Sequence, residues 1–136
     1  MKDPRGEAQR WLAQSRYDLR VARHDAEGGF WSAACFSAQQ AGEKACKALL
    51  YLSGERMVLG HSVAELVKGC TAFSSAMGAL LQDGIALDRY YIPTRYPNGL
   101  PGGVPAESFN ENDAEQAIAA AERLTEAVAK DVEGRT

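Results

Sequence analysis

Three features of this 136-residue sequence predict an all-α fold, an up-and-down bundle of four to five helices. Apolar residues recur at helical spacing through long stretches of the chain. Capping residues open these stretches, and glycines close several of them. No segment alternates polar and apolar residues as a half-buried strand would, so helices joined mostly by short loops satisfy the whole pattern. With 46% hydrophobic residues, one domain over residues 1–136 is expected to build its own core.

The first helix is expected over about residues 4–26, with Asp3 as its N-cap and Pro4 at the first helical position, where a missing N–H is harmless. Ala8, Trp11, Leu12, Ser15, Leu19, Ala22 and Ala26 then fall on one stripe, and Gly28-Gly29 ends the helix. A second helix is expected over about 30–53, with Gly54 where a left-handed terminator is wanted. Its stripe of Trp31, Ala34, Ala38, Ala41, Gly42, Ala45, Leu49 and Leu52 is mostly small, which lets a partner helix come close. Ser62-Val63-Ala64-Glu65 reads as a capping box opening a third helix, about 62–72. A fourth, about 74–90, is weakened by Gly78 and Gly84. Residues 91–109, with four prolines and three glycines, are expected to be irregular, and a loop of that length is often functional. Asn110 is expected to cap a final helix, about 111–132, with the stripe Ala114, Ala117, Ile118, Ala121, Leu124 and Val128.

The net charge of −3 is unevenly spread: residues 1–24 carry six basic and three acidic side chains, residues 101–136 three basic and eight acidic. A chain so polarised can show a basic face while remaining acidic overall, or its first and last helices can attract each other. Arg5, Arg16, Arg20 and Arg23 gather beside the apolar stripe of the first helix, where they can grip phosphates or lie over the core edge. Cys35, Cys46 and Cys70 are odd in number and form no Cys-x-x-Cys pair, which points away from a disulfide framework or a zinc site and toward buried thiols. No metal or cofactor is expected. No apolar run approaches the roughly 18 residues of a membrane span, and the N-terminus lacks the order of a signal peptide, so a cytoplasmic protein is expected.

Residues 87–97 carry the densest chemistry, with three tyrosines, two arginines and two prolines. Pro93 and Pro97 are expected to brace Thr94-Arg95-Tyr96 as a stiff, exposed arm. An arginine flanked by aromatics suits a phosphate or a nucleobase; the alternative is a loop whose tyrosines seal the core. On the polar side of the second helix stand Gln40, Glu43, Lys44 and Lys47. Glu43 and Lys47 can be a simple i,i+4 pair, or Lys44 and Lys47 can meet phosphate while Gln40 meets base or ribose. Only His24 and His61 are available for proton transfer, and no metal, nucleophile-elbow or phosphate-loop motif is present. His61 can pack against Leu66 as a staple before the third helix, or it can pair with Arg56 five residues earlier.

Three stretches together resemble HEPN domains (higher eukaryotes and prokaryotes nucleotide-binding). They are residues 8–12 leading to Asp18-Leu19, residues 34–45 with residues 47–50, and Leu87-Asp88 through Thr94-Arg95-Tyr96-Pro97; Gly60-His61-Ser62 and Leu66 lie between the last two. The resemblance implies a helical bundle, usually a homodimer, that associates with a nucleotide or RNA, often beside a small nucleotidyltransferase. Some members are metal-independent RNases, including toxins of toxin–antitoxin pairs. Their mark is an arginine followed four to six residues later by a histidine near the start of a late helix. No histidine follows Arg95 here; Arg56 and His61 have the spacing but precede the third helix. The expectation is therefore a noncatalytic module in which Arg95 engages phosphate and Tyr91 or Tyr96 stacks on a base, while Lys44, Lys47 and Gln40 assist. An RNase using Arg56 and His61 is one alternative, and a structural dimerisation adaptor is the other.

Overall fold

A computed structural model describes residues 3–134. Its helices are α1 (Pro4–Glu27), α2 (Trp31–Leu52), α3 (Val63–Cys70), α4 (Leu81–Asp88), α5 (Pro105–Ser108) and α6 (Glu111–Gly134). Short 3-10 segments at Ser75–Leu80 and Pro97–Gly99 complete the order. There is no strand among the described residues, as an all-α chain requires.

Local chemistry sets most helix ends. The Asp3 carboxylate accepts from Arg5 N and Gly6 N, Pro4 opens α1, and Gly29 leaves it at φ +81°. Gly54 follows α2 at φ +109°, a conformation open to glycine at little cost. Asn110 and Asp113 cap α6 reciprocally, each side chain accepting from the other's backbone N–H at 2.9 Å. The expected box at the start of α3 is only half formed. Ser62 accepts from Glu65 N at 3.2 Å, but the Glu65 side chain turns to Lys68. Asp88, at the end of α4, instead accepts from Ser62 Oγ, Val63 N and Ala64 N. One carboxylate thus ties the start of α3 to the end of α4.

Helix α2 is the centre of the bundle, packed on α1 and α6 and touched by α3, α4 and α5. Ala34, Ala38, Ala41, Ala45, Ala48 and Leu49 are fully buried, and so are Cys35 and Cys46. Burial pushes the Cys35 thiol up to about 12, and a hydrogen bond with Cys70, reinforced by burial, raises Cys46 well above its ordinary value. All three cysteines are free and buried, with Cys35 and Cys46 held as neutral thiols that pack as small apolar groups. Gly42 makes the close packing possible, since a Cβ there would stand 2.6 Å from Leu87 Cδ1 and 3.3 Å from Leu124 Cδ1.

The structure corrects two sequence expectations and decides a third. The single fourth helix is split into the 3-10 segment Ser75–Leu80 and α4, and residues 91–109 contain a 3-10 turn and α5. Gly84 explains its own presence: a Cβ there would lie 3.0 Å from the Ala64 backbone, so glycine lets α4 close onto the start of α3. The α1 arginines, for which the sequence left a phosphate grip and an attraction to the last helix both open, bind α6 in three of four cases. Arg5 donates to the Val132 carbonyl, Arg16 forks onto Glu133 at 2.7 and 2.8 Å, and Arg23 reaches Glu122 at 2.7 Å. The Arg16 hydrogen bond holds the Glu133 carboxyl below its ordinary range. Such exposed pairs are worth about 0.2–1 kcal/mol each, so they align α1 and α6 more than they stabilise them.

The glycine geometry makes a direct prediction. Gly84→Ala, despite the better helix propensity of alanine, is expected to lower unfolding stability by about 1–3 kcal/mol through overpacking. Gly78→Ala, whose Cβ meets nothing nearer than Thr71 Cγ2 at 3.8 Å, leaves the urea midpoint unchanged or raises it.

Candidate functional site

The segment after α4 is a folded turn and not the exposed arm that its prolines suggested. Arg95 N and Tyr96 N both donate to the Ile92 carbonyl, and the buried Thr94 hydroxyl donates to Tyr90 O. Tyr90 is buried edge-on to Phe109, so one tyrosine does seal the core. Burial raises the Tyr90 phenol above its ordinary value. Each side chain that closes the turn satisfies a carbonyl four residues back, which is why the prolines bend the chain inward without orphaning its backbone.

Arg95 is the product of this turn. Its Nε donates to Tyr91 O at 2.9 Å, and its guanidinium carbon lies 4.3 Å from the Phe36 ring centre, 4.7 Å from Tyr91 and 5.0 Å from Tyr96. Ring contacts at these distances favour a cation and fix its plane. The terminal nitrogens Nη1 and Nη2 donate to none of the described residues. A half-buried arginine is thus held by its stem and faces while its fork stays open.

Tyr91 joins Arg95 to a second group. The His61 ring stacks on Tyr91 at 4.6 Å and 18°, and its Nδ1 lies 3.2 Å from Glu43 Oε1. His61, expected as a staple against Leu66, thus makes contacts with α2 and the turn. Glu43 is buried and receives three donors: His61, Lys47 at 3.0 Å and Gln39 at 3.2 Å. Gln39 also donates to His61 O at 3.1 Å and accepts from Gln40 at 2.8 Å. No buried side-chain nitrogen or oxygen among the described residues lacks a partner.

Of the sequence-predicted site residues, the structure gathers Tyr91, Arg95 and Tyr96 with His61, and it links Gln40 and Lys47 to them through Gln39 and Glu43. It redefines several roles. Lys47 is buried, paired to Glu43 and 5.7 Å from the Trp11 ring centre, so it is not free to meet a phosphate. Lys44 pairs with Asp18 of α1 at 2.6 Å, and Gln40 spends its amide on Gln39. Arg56 is exposed in the loop after α2, and no hydrogen bond, ion pair or ring contact joins it to His61 among the described residues. Sequence reasoning missed Phe36, Gln39 and the site role of Glu43. A signal existed: Gln39, Glu43 and Lys47 recur every fourth residue among alanines, a polar line on the side of α2. Among the described residues no three His, Cys, Asp or Glu side chains come together to hold a metal.

Removing one member of the buried pair should be costly. Glu43→Ala is expected to lower stability by about 3–5 kcal/mol, because it leaves the Lys47 ammonium buried without its partner. The double variant Glu43→Leu with Lys47→Met removes both charges and is expected to recover most of that loss in urea unfolding.

The HEPN domain family model matches residues 8–132. The fold is similar to that of TT1696 from Thermus thermophilus, with a TM-score of 0.86 and 35% identity over 91% of this chain and 97% of that one. It is also similar to ST0689, described as an archaeal HEPN homologue, with a TM-score of 0.77 and 35% identity over 97% of this chain and 99% of the other. An HEPN domain protein of Thermotoga maritima aligns with a TM-score of 0.72 and 29% identity, covering 93% of this chain and 99% of its own. Comparison with curated proteins finds no match.

Proposed function

The chain belongs to the HEPN domain family, and from that premise we propose that it binds a nucleotide or RNA at the Arg95 turn. The observation that carries this reading is the open guanidinium fork, oriented by Phe36, Tyr91 and Tyr96 and by the Nε bond to Tyr91 O. A planar fork held in advance can take two phosphate oxygens at once and loses little side-chain freedom in doing so. Tyr91 lies against both His61 and Arg95, whereas Tyr96, which meets only Arg95 among these, is 49% exposed and keeps ring surface for a base. Gln40 and Lys47 support the site from behind through Gln39 and Glu43, while Lys44 is held against α1 by Asp18.

The module is noncatalytic in this reading, because no histidine follows Arg95 and Arg56 does not engage His61. It works as a homodimer with a small nucleotidyltransferase, an arrangement that the family resemblance supports. No helix among the described residues is long and apolar enough to cross a membrane.

Titration of ATP, GTP and short RNAs tests the proposal. Arg95→Ala is expected to abolish measurable binding, and Arg95→Lys to restore little of it, since an ammonium lacks the fork. Tyr96→Ala is expected to weaken binding by about 1–3 kcal/mol, the usual value of one stacked base. Equal binding by Arg95→Ala and wild type would remove the turn from the site. A wild type that binds none of the probes would leave a structural adaptor as the function.

A further inference from the structure

The last residue of α4 is an aspartate, and no basic residue stands in that helix's last turn. A negative charge at a helix C-terminus works against the helix dipole, so local energetics do not account for Asp88. Its tertiary contacts do. One carboxylate oxygen accepts from the Ser62 hydroxyl at 2.7 Å and from Ala64 N, and the other accepts from Val63 N. Two of these donors belong to the first turn of α3, whose N–H groups have no partner within the helix. Ser62 directly follows His61, Asp88 precedes Tyr91 by three residues, and the His61 ring lies on Tyr91 at 4.6 Å. Residues 61–62 and 88–91 therefore form a closed ring of contacts, fastened on one side by the carboxylate and on the other by the stacked rings. The path from Asp88 to Tyr91 has little slack, because Arg89 N donates to Ala86 O and Tyr90 N to Leu87 O.

We infer that Asp88 is a positioning residue for the Arg95 site: it fixes the turn after α4 against the loop before α3, and so holds Tyr91 where it orients Arg95. The inference rests on the nucleotide reading above. Tyr91 supplies both the carbonyl that accepts from Arg95 Nε at 2.9 Å and a ring 4.7 Å from the guanidinium carbon. A displacement of Tyr91 thus moves the arginine's anchor and its stacking partner together. Gly84 permits the close approach of α4 to α3, since a Cβ there would meet Ala64 N at 3.0 Å, and the Asp88 carboxylate locks it. Glu43 places the loop from the α2 side, and Asp88 places the turn relative to that loop. Asparagine at this position has the same shape but a single acceptor oxygen. Whichever way its amide turns, an NH2 group faces a backbone N–H, that of Val63 or that of Ala64.

The experiment follows two readouts in wild type, Asp88→Asn, Asp88→Glu and Val128→Ala. One is the affinity for ATP and a short RNA by titration calorimetry. The other, without ligand, is the NMR signals of the His61 ring protons and of Arg95 Nε–H. Val128, fully buried on α6, is the control for lost stability alone. The Tyr91 ring current is expected to move the wild-type His61 protons upfield, by an amount calibrated with Tyr91→Leu. Asp88→Asn is expected to lose most of that shift and to speed the exchange of Arg95 Nε–H with water. Its binding is expected to weaken about tenfold, as follows when the competent placement falls to about a tenth of the population. Asp88→Glu, which keeps both acceptor oxygens, is expected to recover part of each effect. Should Asp88→Asn fail to fold, Ser62→Ala removes one of the three donors and is expected to move the same signals by less. A purely structural Asp88 predicts that Asp88→Asn behaves like Val128→Ala, with a lower urea midpoint but unchanged His61 and Arg95 signals and unchanged affinity. That result would overturn the inference and leave Arg95-dependent binding in place. Absence of binding by wild type would instead refute the nucleotide reading, while the ligand-free signals still decide whether Asp88 positions Arg95.

Discussion

A carboxylate taken out of water inside a helical bundle must be matched by donors, and Glu43 is matched by three. Lys47 neutralises it, Gln39 bridges it to the loop before α3, and His61 closes the set. The interaction does little for net stability, since an ion pair buried this deeply roughly offsets its own desolvation. Its effect is to specify geometry. Only one placement of the loop after α2 satisfies the carboxylate, and that placement sets His61 against Tyr91. Tyr91 in turn offers both its ring and its carbonyl to Arg95. The candidate site is therefore an outgrowth of a polar line on the most buried helix.

A second constraint keeps the basic face of α1 out of the chemistry. Arg5, Arg16 and Arg23 bind the carbonyl and carboxylates of α6, so the charge asymmetry of the sequence is largely absorbed within the molecule. These three arginines could have been a phosphate grip or a tie to the last helix, and each has an internal partner. Arg95 differs in kind: its faces are covered by rings and its fork is open. Residue type alone does not separate these cases, but hydrogen-bond bookkeeping does.

Much of the fold was legible because its determinants are local. Asp3-Pro4, Gly28-Gly29, Gly54 and Asn110 act within a turn of their own helices, and the stripes of α1 and α6 were read from spacing alone. The unread parts depend on tertiary approach. Gly84 looked like a weakness in a helix until α3 was found against it, and Glu65 lost its capping role to Asp88, which lies 23 residues away in the chain. The site was half legible for the same reason. Arg95 and its tyrosines are contiguous, whereas Phe36 and Glu43 arrive from α2 and His61 from the loop that follows it. Proximity of Arg56 and His61 in sequence suggested a pair that the fold does not make.

The measurement that bears most directly on this account is a ¹⁵N NMR titration with ATP that follows arginine and histidine side-chain signals together with the backbone. The account predicts that the Arg95 side chain, the His61 ring and the amides of Tyr91 and Tyr96 shift together and saturate together. Signals from Arg16, Arg20 and Arg23 should stay in place. Shifts confined to those α1 arginines, with Arg95 and His61 unmoved, would contradict it.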